Sequence, residues 1–133
     1  MQLKLGLLAS PKFQLAYQKL LEQKKIPLAT TFKLRRITRD ITEQTRSYEE
    51  FMQAAAAEAA LRDQQGNPQT TEHQGRQHVI LDRAKTDEYN RKVLELNDLD
   101  IELPELSYRE LGPADALTLT TEDIVLLEFI AEE

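Results

Sequence analysis

The side chains that could do chemistry fall into three small groups, and the first contains the two histidines. His73 and His78 are the only histidines, and Glu72 adjoins the first of them. A histidine beside a carboxylate can act as a general base or supply part of a metal site. No nucleophile and no third ligand stand at a recognised spacing, so we interpret both histidines as surface residues.

The second group is an acidic row in the segment DLDIELPEL, residues 98–106. Asp98, Asp100 and Glu102 alternate with apolar residues, which places the three carboxylates on one face of a strand, about 6.6–7 Å apart. Carboxylates in such a row could bind Ca²⁺ or Mg²⁺. The segment lacks the Asp-x-Asp-x-Asp-Gly pattern of a calcium loop. We therefore interpret it as the exposed face of a half-buried strand, and we expect no metal and no cofactor.

The third group is a basic cluster at the start of a predicted long helix. It comprises Lys33, Arg35, Arg36 and Arg39, and the apolar Phe32 precedes it. Phosphate contacts would account for such a cluster. However, aromatic platforms for bases are nearly absent, and Asp40 and Glu43 partly neutralise the charge. Nucleic acid is therefore an unlikely ligand, and a protein partner, such as an acidic region of a neighbouring copy, is at least as good an explanation.

The composition limits the functional class. The chain has 133 residues, 41% of them hydrophobic and 30% charged, which suits one folded domain over residues 1–133. It contains no Cys, which excludes a disulfide scaffold, a thiol nucleophile and a Cys-ligated zinc site. No Walker, G-x-S-x-G or H-E-x-x-H motif occurs. No apolar segment is long enough for a spanning helix and no signal peptide opens the chain. We expect a soluble protein that is not an enzyme.

The charges are unevenly spread along the chain. Residues 1–46 contain ten Lys and Arg against three acids, whereas residues 98–133 contain eleven Asp and Glu against the single Arg109. This asymmetry indicates complementary contacts within the chain or head-to-tail association of copies, with a solvated acidic region as the plain alternative.

A long amphipathic helix over residues 31–63 organises the rest of the prediction. Its apolar stripe comprises Leu34, Ile37, Ile41, Thr45, Tyr48, Met52, Ala55 and Ala59. Thr30 or Thr31 caps its start. The opposite face pairs Arg36 with Asp40, Arg39 with Glu43 and Arg46 with Glu50, each four residues apart. The run of alanines at 54–60 favours helix strongly and allows close approach of a second helix.

The remaining elements complete an α+β fold that is mostly α: a long antiparallel helical hairpin, a small antiparallel β-sheet and flanking helices. The predicted segments are a strand at 2–8, a helix at 11–24 capped by Ser10, a polar tip loop at 64–77, a helix at 79–96, a strand at 98–103 and a helix at 121–131. We expect the two strands to pair with each other, and a third short strand within 116–120. Capping boxes are predicted at Ser107 with Glu110 and at Thr120 with Asp123.

Several segments in this order resemble a family of small, mostly uncharacterised proteins of tailed bacteriophages. They are TTFKLRRITRDITEQTRSYEEF, DQQGNPQ, TDEYNRKVLEL, DLDIELPEL and TTEDIVLLEFI, together with the short amphipathic opening strand. The resemblance covers the chain from about Phe32 onward. It implies a phage protein connected with virion assembly or with the mature particle, and it transfers no functional residues.

The sequence therefore predicts a non-catalytic protein-interaction component, located in the virion or the host cytoplasm. Its expected partners are other copies of itself or larger phage structural proteins, and no membrane. The predicted partner-binding residues are Phe32, Lys33, Arg35, Arg36, Arg39, Asp98, Asp100 and Glu102. One alternative is a phage inhibitor of a host defence complex that acts through the acidic C-terminal third. The other is a nucleic-acid-binding module that uses the basic start of the long helix.

Overall fold

The computed structural model describes residues 2–112, 117–127 and 130–131. The α-helices are α1 (Leu5–Leu8), α2 (Pro11–Leu21), α3 (Leu28–Glu58), α4 (Thr86–Asn97) and α5 (Thr121–Leu126). The strands are β1 (Gln2–Lys4), β2 (Thr70–His73), β3 (Arg76–Val79), β4 (Asp100–Glu102), β5 (Leu106–Ser107) and β6 (Ile130–Ala131). Single 3₁₀ turns cover Arg83–Lys85 and Tyr108–Leu111. The predicted fold class, α+β and mostly α with a long helical hairpin, is confirmed.

Helix α3 is continuous but shifted towards the N-terminus relative to the predicted 31–63. It starts after Pro27, which occupies the N-cap position, so Thr30 and Thr31 lie inside the helix and do not cap it. It ends at Glu58, within the alanine run. Just past the end of α3, the Asp82 N–H donates to Ala59 O at 2.8 Å and Ala60 forms an antiparallel bridge with Leu81. These β-type contacts replace the next helical turn, although alanine has a high helix propensity. At 1.5 Å per residue, α3 is about 46 Å long.

Three helices cover the apolar stripe of α3. Its first half packs against α2, where the Tyr17 hydroxyl lies 2.8 Å from Thr38 Oγ1. Its second half packs against α1 and α4. The antiparallel course of α4 is marked by two contacts with α3: Tyr48 Oη donates to Asn97 Oδ1 at 2.8 Å, and Lys92 Nζ donates to Glu58 Oε2 at 3.1 Å. The sequence predicts that the helix at 79–96 covers the stripe. It starts only at Thr86 and is too short to do so, since the preceding residues belong to β3 and its connection.

The predicted polar loop at 64–77 is wrong in its second half, because the chain forms a β-hairpin there. Strands β2 and β3 pair antiparallel, with Thr70 opposite Val79 and His73 opposite Arg76. The connecting residues Gln74 and Gly75 have φ values of 51° and 76°. Two successive positive φ values are typical of the tight type I′ turn, which matches the twist of a hairpin. A polar segment can therefore form two paired strands when the residues between them adopt the positive φ values of a tight turn.

The N-terminal strand is shorter than the predicted 2–8. Strand β1 ends at Lys4, and Leu5–Leu8 turns into helix α1. The helix buries Leu5 and Leu8, three residues apart, whereas a continued strand would have buried Leu7. The predicted antiparallel pairing with the acidic strand is confirmed, with Leu3 opposite Ile101.

The C-terminal third also departs from its predicted bounds. The strand at 98–103 is reduced to β4, and the helix at 121–131 ends at Leu126. Ile130 then enters β6, which pairs parallel with β5. Residues 117–120 form no strand, against the expected third strand at 116–120, and residue 116 lies outside the described residues.

Both N-cap predictions for α2 and α5 are confirmed. The Ser10 hydroxyl accepts from the Phe13 N–H at 3.2 Å. Thr120 and Asp123 form a reciprocal capping box with both bonds at 3.1 Å, although aspartate replaces the usual glutamate. These caps fix the two helices that enclose the core, whose largest fully buried side chains are Phe13, Leu8, Leu20, Ile37, Leu106, Leu111 and Leu127.

Candidate interaction surface

Part of the charge asymmetry is used in ion pairs within the chain. Three N-terminal lysines bind acids of the C-terminal third: Lys4 with Asp98 and Asp100, Lys19 with Asp123, and Lys33 with Glu110. The shortest of these contacts joins Lys33 Nζ to Glu110 Oε1 at 2.7 Å. The sequence leaves open whether the asymmetry serves contacts within the chain or between copies, and Lys4, Lys19 and Lys33 serve the former.

The predicted acidic row is partly occupied by this arrangement. Lys4 Nζ lies 2.9 Å from Asp100 Oδ1 and 3.3 Å from Asp98 Oδ1, and its hydrogen bond to Asp100 raises the pKa of the lysine. Glu102 is exposed on β4, while Asp98 follows the end of α4. Two of the three predicted carboxylates therefore already hold a cation of their own chain. Within the described residues, no group of three or more His, Asp or Glu side chains is arranged to hold a metal ion.

Glu110 and Asp123 are anchored carboxylates. The Lys33 ammonium and the Ser107 N–H, which donates at 2.9 Å, lower the pKa of Glu110. The Thr120 N–H and then Lys19 lower the pKa of the buried Asp123. Each carboxylate thus caps a helical turn and accepts from a distant lysine. Both acids therefore take part in contacts within the fold.

The outward face of the first half of α3 is the principal open surface. It consists of Leu28, Phe32, Arg35, Arg36 and Arg39, and we call it the arginine face. Leu28 and Phe32 are 83% and 68% exposed, and they lie four residues apart on one side of the helix. The structure brings four of the predicted partner-binding residues together here. Lys33 is turned away from this face, towards Glu110.

The arginines of this face keep their charge available. The predicted pairs of Arg36 with Asp40 and Arg39 with Glu43 are not formed, nor is that of Arg46 with Glu50 farther along. Among the residues the structure describes, neither Arg35, Arg36 nor Arg39 makes an ion pair. An exposed apolar pair beside unpaired cations is the composition of a contact surface for an acidic partner.

A groove between α2 and α3 is a second open feature, and sequence reasoning missed it. Two cavities of about 370 and 500 Å³ open beside the Tyr17 contact, and both are lined by Leu21 and Thr38. Burial in this contact raises the pKa of the Tyr17 phenol. The rim carries Lys24, Arg35 and Arg46. The groove lies between α2 and α3 where the Tyr17 hydroxyl contacts Thr38, and no local pattern in the sequence reveals it.

Leu28 was also missed by the sequence analysis. The predicted long helix begins at residue 31, whereas Leu28 is the first helical residue in the structure. The signal was present, because a proline commonly stands at the start of a helix and Pro27 precedes Leu28 directly.

The two histidines lie together on the tip hairpin. Their ring centroids are 6.3 Å apart, and both side chains are exposed. They are on the same side of adjacent strands, since His78 stands opposite Thr71, two residues before His73.

None of the helices in the described residues has an apolar stretch of the length needed to cross a membrane. No protein-family model, no curated protein and no solved structure matches this chain.

Proposed function

We propose that this chain is a non-catalytic protein-binding component of a tailed bacteriophage, acting in the virion or in the host cytoplasm during assembly. The observation that carries the proposal is the arginine face, where Leu28 and Phe32 are exposed beside three unpaired arginines. The partner that suits this face is an acidic protein surface with an apolar depression. The phage setting comes from the resemblance of the sequence pattern, and the contact surface comes from the structure.

The choice of residues at this face supports binding over a merely solvated helix. A solvated face carries charged residues of both signs that form pairs along the helix. Here the predicted pairs are absent and two large apolar side chains stand in water, which costs free energy unless a partner covers them. Contact with a partner would recover this free energy.

The test uses a phage that encodes the chain. Particles and precursor complexes are purified and analysed by mass spectrometry for the wild-type chain and for a Phe32→Ser, Arg39→Glu variant. We expect the wild type to co-purify with them and the variant to be lost. The matched control is Leu94→Ser on α4, which removes another exposed leucine outside the arginine face. Equal recovery of the arginine-face variant would refute the proposal.

A nucleic-acid-binding module is the second candidate, and the same unpaired arginines favour it. Phosphate contacts would make binding fall steeply with salt. Fluorescence anisotropy with single- and double-stranded DNA, for the wild type and for a variant with Arg35, Arg36 and Arg39 all replaced by Glu, separates the two candidates. Salt-sensitive binding that the variant loses would favour nucleic acid, and no binding would favour the protein partner.

The pairing of Lys4, Lys19 and Lys33 argues against the alternative of an acidic inhibitor of a host complex. An inhibitor that imitates nucleic acid needs rows of carboxylates that are free to meet a basic groove. The acids held by these lysines would have to give up their partners first.

A further inference from the structure

The groove between α2 and α3 is long enough and apolar enough to receive a protein element. Its lining residues on α3 extend from Thr31 to Glu49, which corresponds to about 27 Å of helix. Its apolar surface comes from Tyr17, Leu21 and Ile41. Leu21 is 43% exposed although it projects towards this groove.

The charged residues of the groove favour an acidic occupant, because Lys24, Arg35 and Arg46 line it together with the single acid Glu49. Lys24 and Arg46 stand at opposite ends of the lining, and neither makes an ion pair within the part of the chain that the structure describes.

A matching surface lies on the other side of α2. Helix α5 packs there, held by the 3.3 Å contact between Lys19 Nζ and Asp123 Oδ2. Lys19 follows Tyr17 by two residues, so the two side chains point about 200° apart around α2. The outer side of α5 presents Ile124 and Val125, which are 45% and 64% exposed, beside the exposed Glu122.

We propose that α5 of one copy docks into the groove between α2 and α3 of the next copy. Ile124 and Val125 would contact the apolar surface around Leu21 and Ile41, and Glu122 would meet the cations of the rim. The two surfaces are complementary in charge and in hydrophobicity. The inference rests on the proposed function, since it describes how copies of a phage component associate.

The geometry determines the kind of assembly. Because the donor and acceptor surfaces are different and lie on opposite sides of α2, the contact is heterologous. Such a contact adds copies head to tail, in a closed ring where the rotation between neighbours closes and in an open chain where it does not, whereas an isologous contact would stop at a dimer.

Sedimentation velocity of the full chain over a wide range of concentration is the first measurement. We expect the mean mass to rise with concentration beyond that of a dimer, and to fall at high salt because rim charges contribute. A chain that stays monomeric at every concentration, or that stops at a dimer, overturns the proposal.

Two variants separate the surfaces. Leu21→Asp removes the acceptor surface and Val125→Asp removes the donor surface, and both positions are exposed enough to accept a charge. We expect each variant alone to be monomeric and an equimolar mixture to form a one-to-one complex, because each retains the surface that the other lacks. Failure of the mixture to associate contradicts head-to-tail contact. Leu15→Asp, at an exposed position on α2 that does not line the groove, should associate like the wild type.

A charge exchange between Arg46 and Glu122 tests the same contact without changing an apolar side chain. Arg46→Glu should weaken association and Glu122→Arg should weaken it similarly, while the chain carrying both changes should associate more strongly than either. Persistent weakness of the double variant would count against contact of the rim with Glu122. Phe32→Ser and Arg39→Glu should leave self-association unchanged, so failure here and failure of the proposed arginine-face function remain distinguishable.

Discussion

Lys33 Nζ on α3 contacts Glu110 Oε1 at 2.7 Å, between residues 77 positions apart in the sequence. The 3₁₀ turn that contains Glu110 receives a second hydrogen bond from α3, in which the Thr30 hydroxyl donates to Glu110 O at 2.6 Å. Glu110 also accepts from the Ser107 N–H. One carboxylate therefore joins the start of the long helix to the 3₁₀ turn that follows β5.

This pair predicts a small but measurable coupling. Both side chains are somewhat more than one third exposed, so the ion pair is worth about 0.5–1 kcal/mol after screening by solvent. A double-mutant cycle with Lys33→Met and Glu110→Gln, measured by urea unfolding, should return a coupling free energy in that range. Additive effects of the two changes would show that the contact contributes nothing in solution.

Acid should destabilise the protein, and Glu110 and Asp123 should account for part of the effect. Their pKa values lie below the ordinary 4.5 and 3.8, so the unfolded chain binds more protons than the folded chain as pH falls through this region. The contribution of these two carboxylates to the free energy of unfolding is thus complete above about pH 5 and declines below it. Urea unfolding from pH 7 to pH 3 measures the decline, which Glu110→Gln should make shallower. Glu105→Gln, which removes an exposed carboxylate, controls for net charge, and equal slopes in both variants would contradict this assignment.

Gly6→Ala should destabilise the junction of α1 and α4. A Cβ at Gly6 would lie 2.8 Å from Asn97 Cβ and 3.0 Å from Asn97 Oδ1, the atom that accepts the Tyr48 hydrogen bond. We expect a loss of about 1–3 kcal/mol in the free energy of unfolding, since the side chain must move. In an Asn97→Gly background the same change no longer meets the Asn97 side chain and should cost much less. An equal loss of unfolding free energy in the two backgrounds would show that the destabilisation does not come from contact with Asn97.

The tip hairpin should respond to its turn residues without affecting the core. Gly75 has φ of 76° with open space around it, so Gly75→Ala costs about 1 kcal/mol through the backbone alone. Amide hydrogen exchange in β2 and β3 should accelerate, while the thermal midpoint changes little. Gln74→Gly is a control with the opposite expected effect. Glycine adopts the positive φ of this position without strain, so amide exchange in the hairpin should slow. Exchange that is fast and equal in all three proteins would indicate a loop in place of the hairpin.

Truncation of Leu8 distinguishes helix α1 from a continued strand. Leu8 is fully buried and Leu7 only partly, so Leu8→Ala should cost about 2–5 kcal/mol and Leu7→Ala clearly less. A strand would reverse this order, since Leu7 would then join Leu3 and Leu5 on the buried face. Urea unfolding of the two variants gives the comparison directly.

The sequence by itself determined the features that depend on neighbouring residues. The 3.6-residue stripe from Leu34 to Ala59 identified the long helix and its buried side, and the capping patterns located the starts of α2 and α5. Strict alternation identified β1 and β4 as partners. These signals are readable because helix periodicity, strand alternation and capping act over a few residues. The same reasoning located most of the arginine face.

Only the tertiary structure decided which elements cover the stripe and where the charges are used. Helix α3 ends inside an alanine run because Ala59 and Ala60 are held by residues more than twenty positions away. Lys33 binds Glu110 and points away from the basic cluster, while its arginine neighbours make no ion pair among the described residues. The groove beside Tyr17 depends on the spacing of two helices. Such contacts join residues that are distant along the chain, and their free energies depend on relative positions that no local pattern specifies.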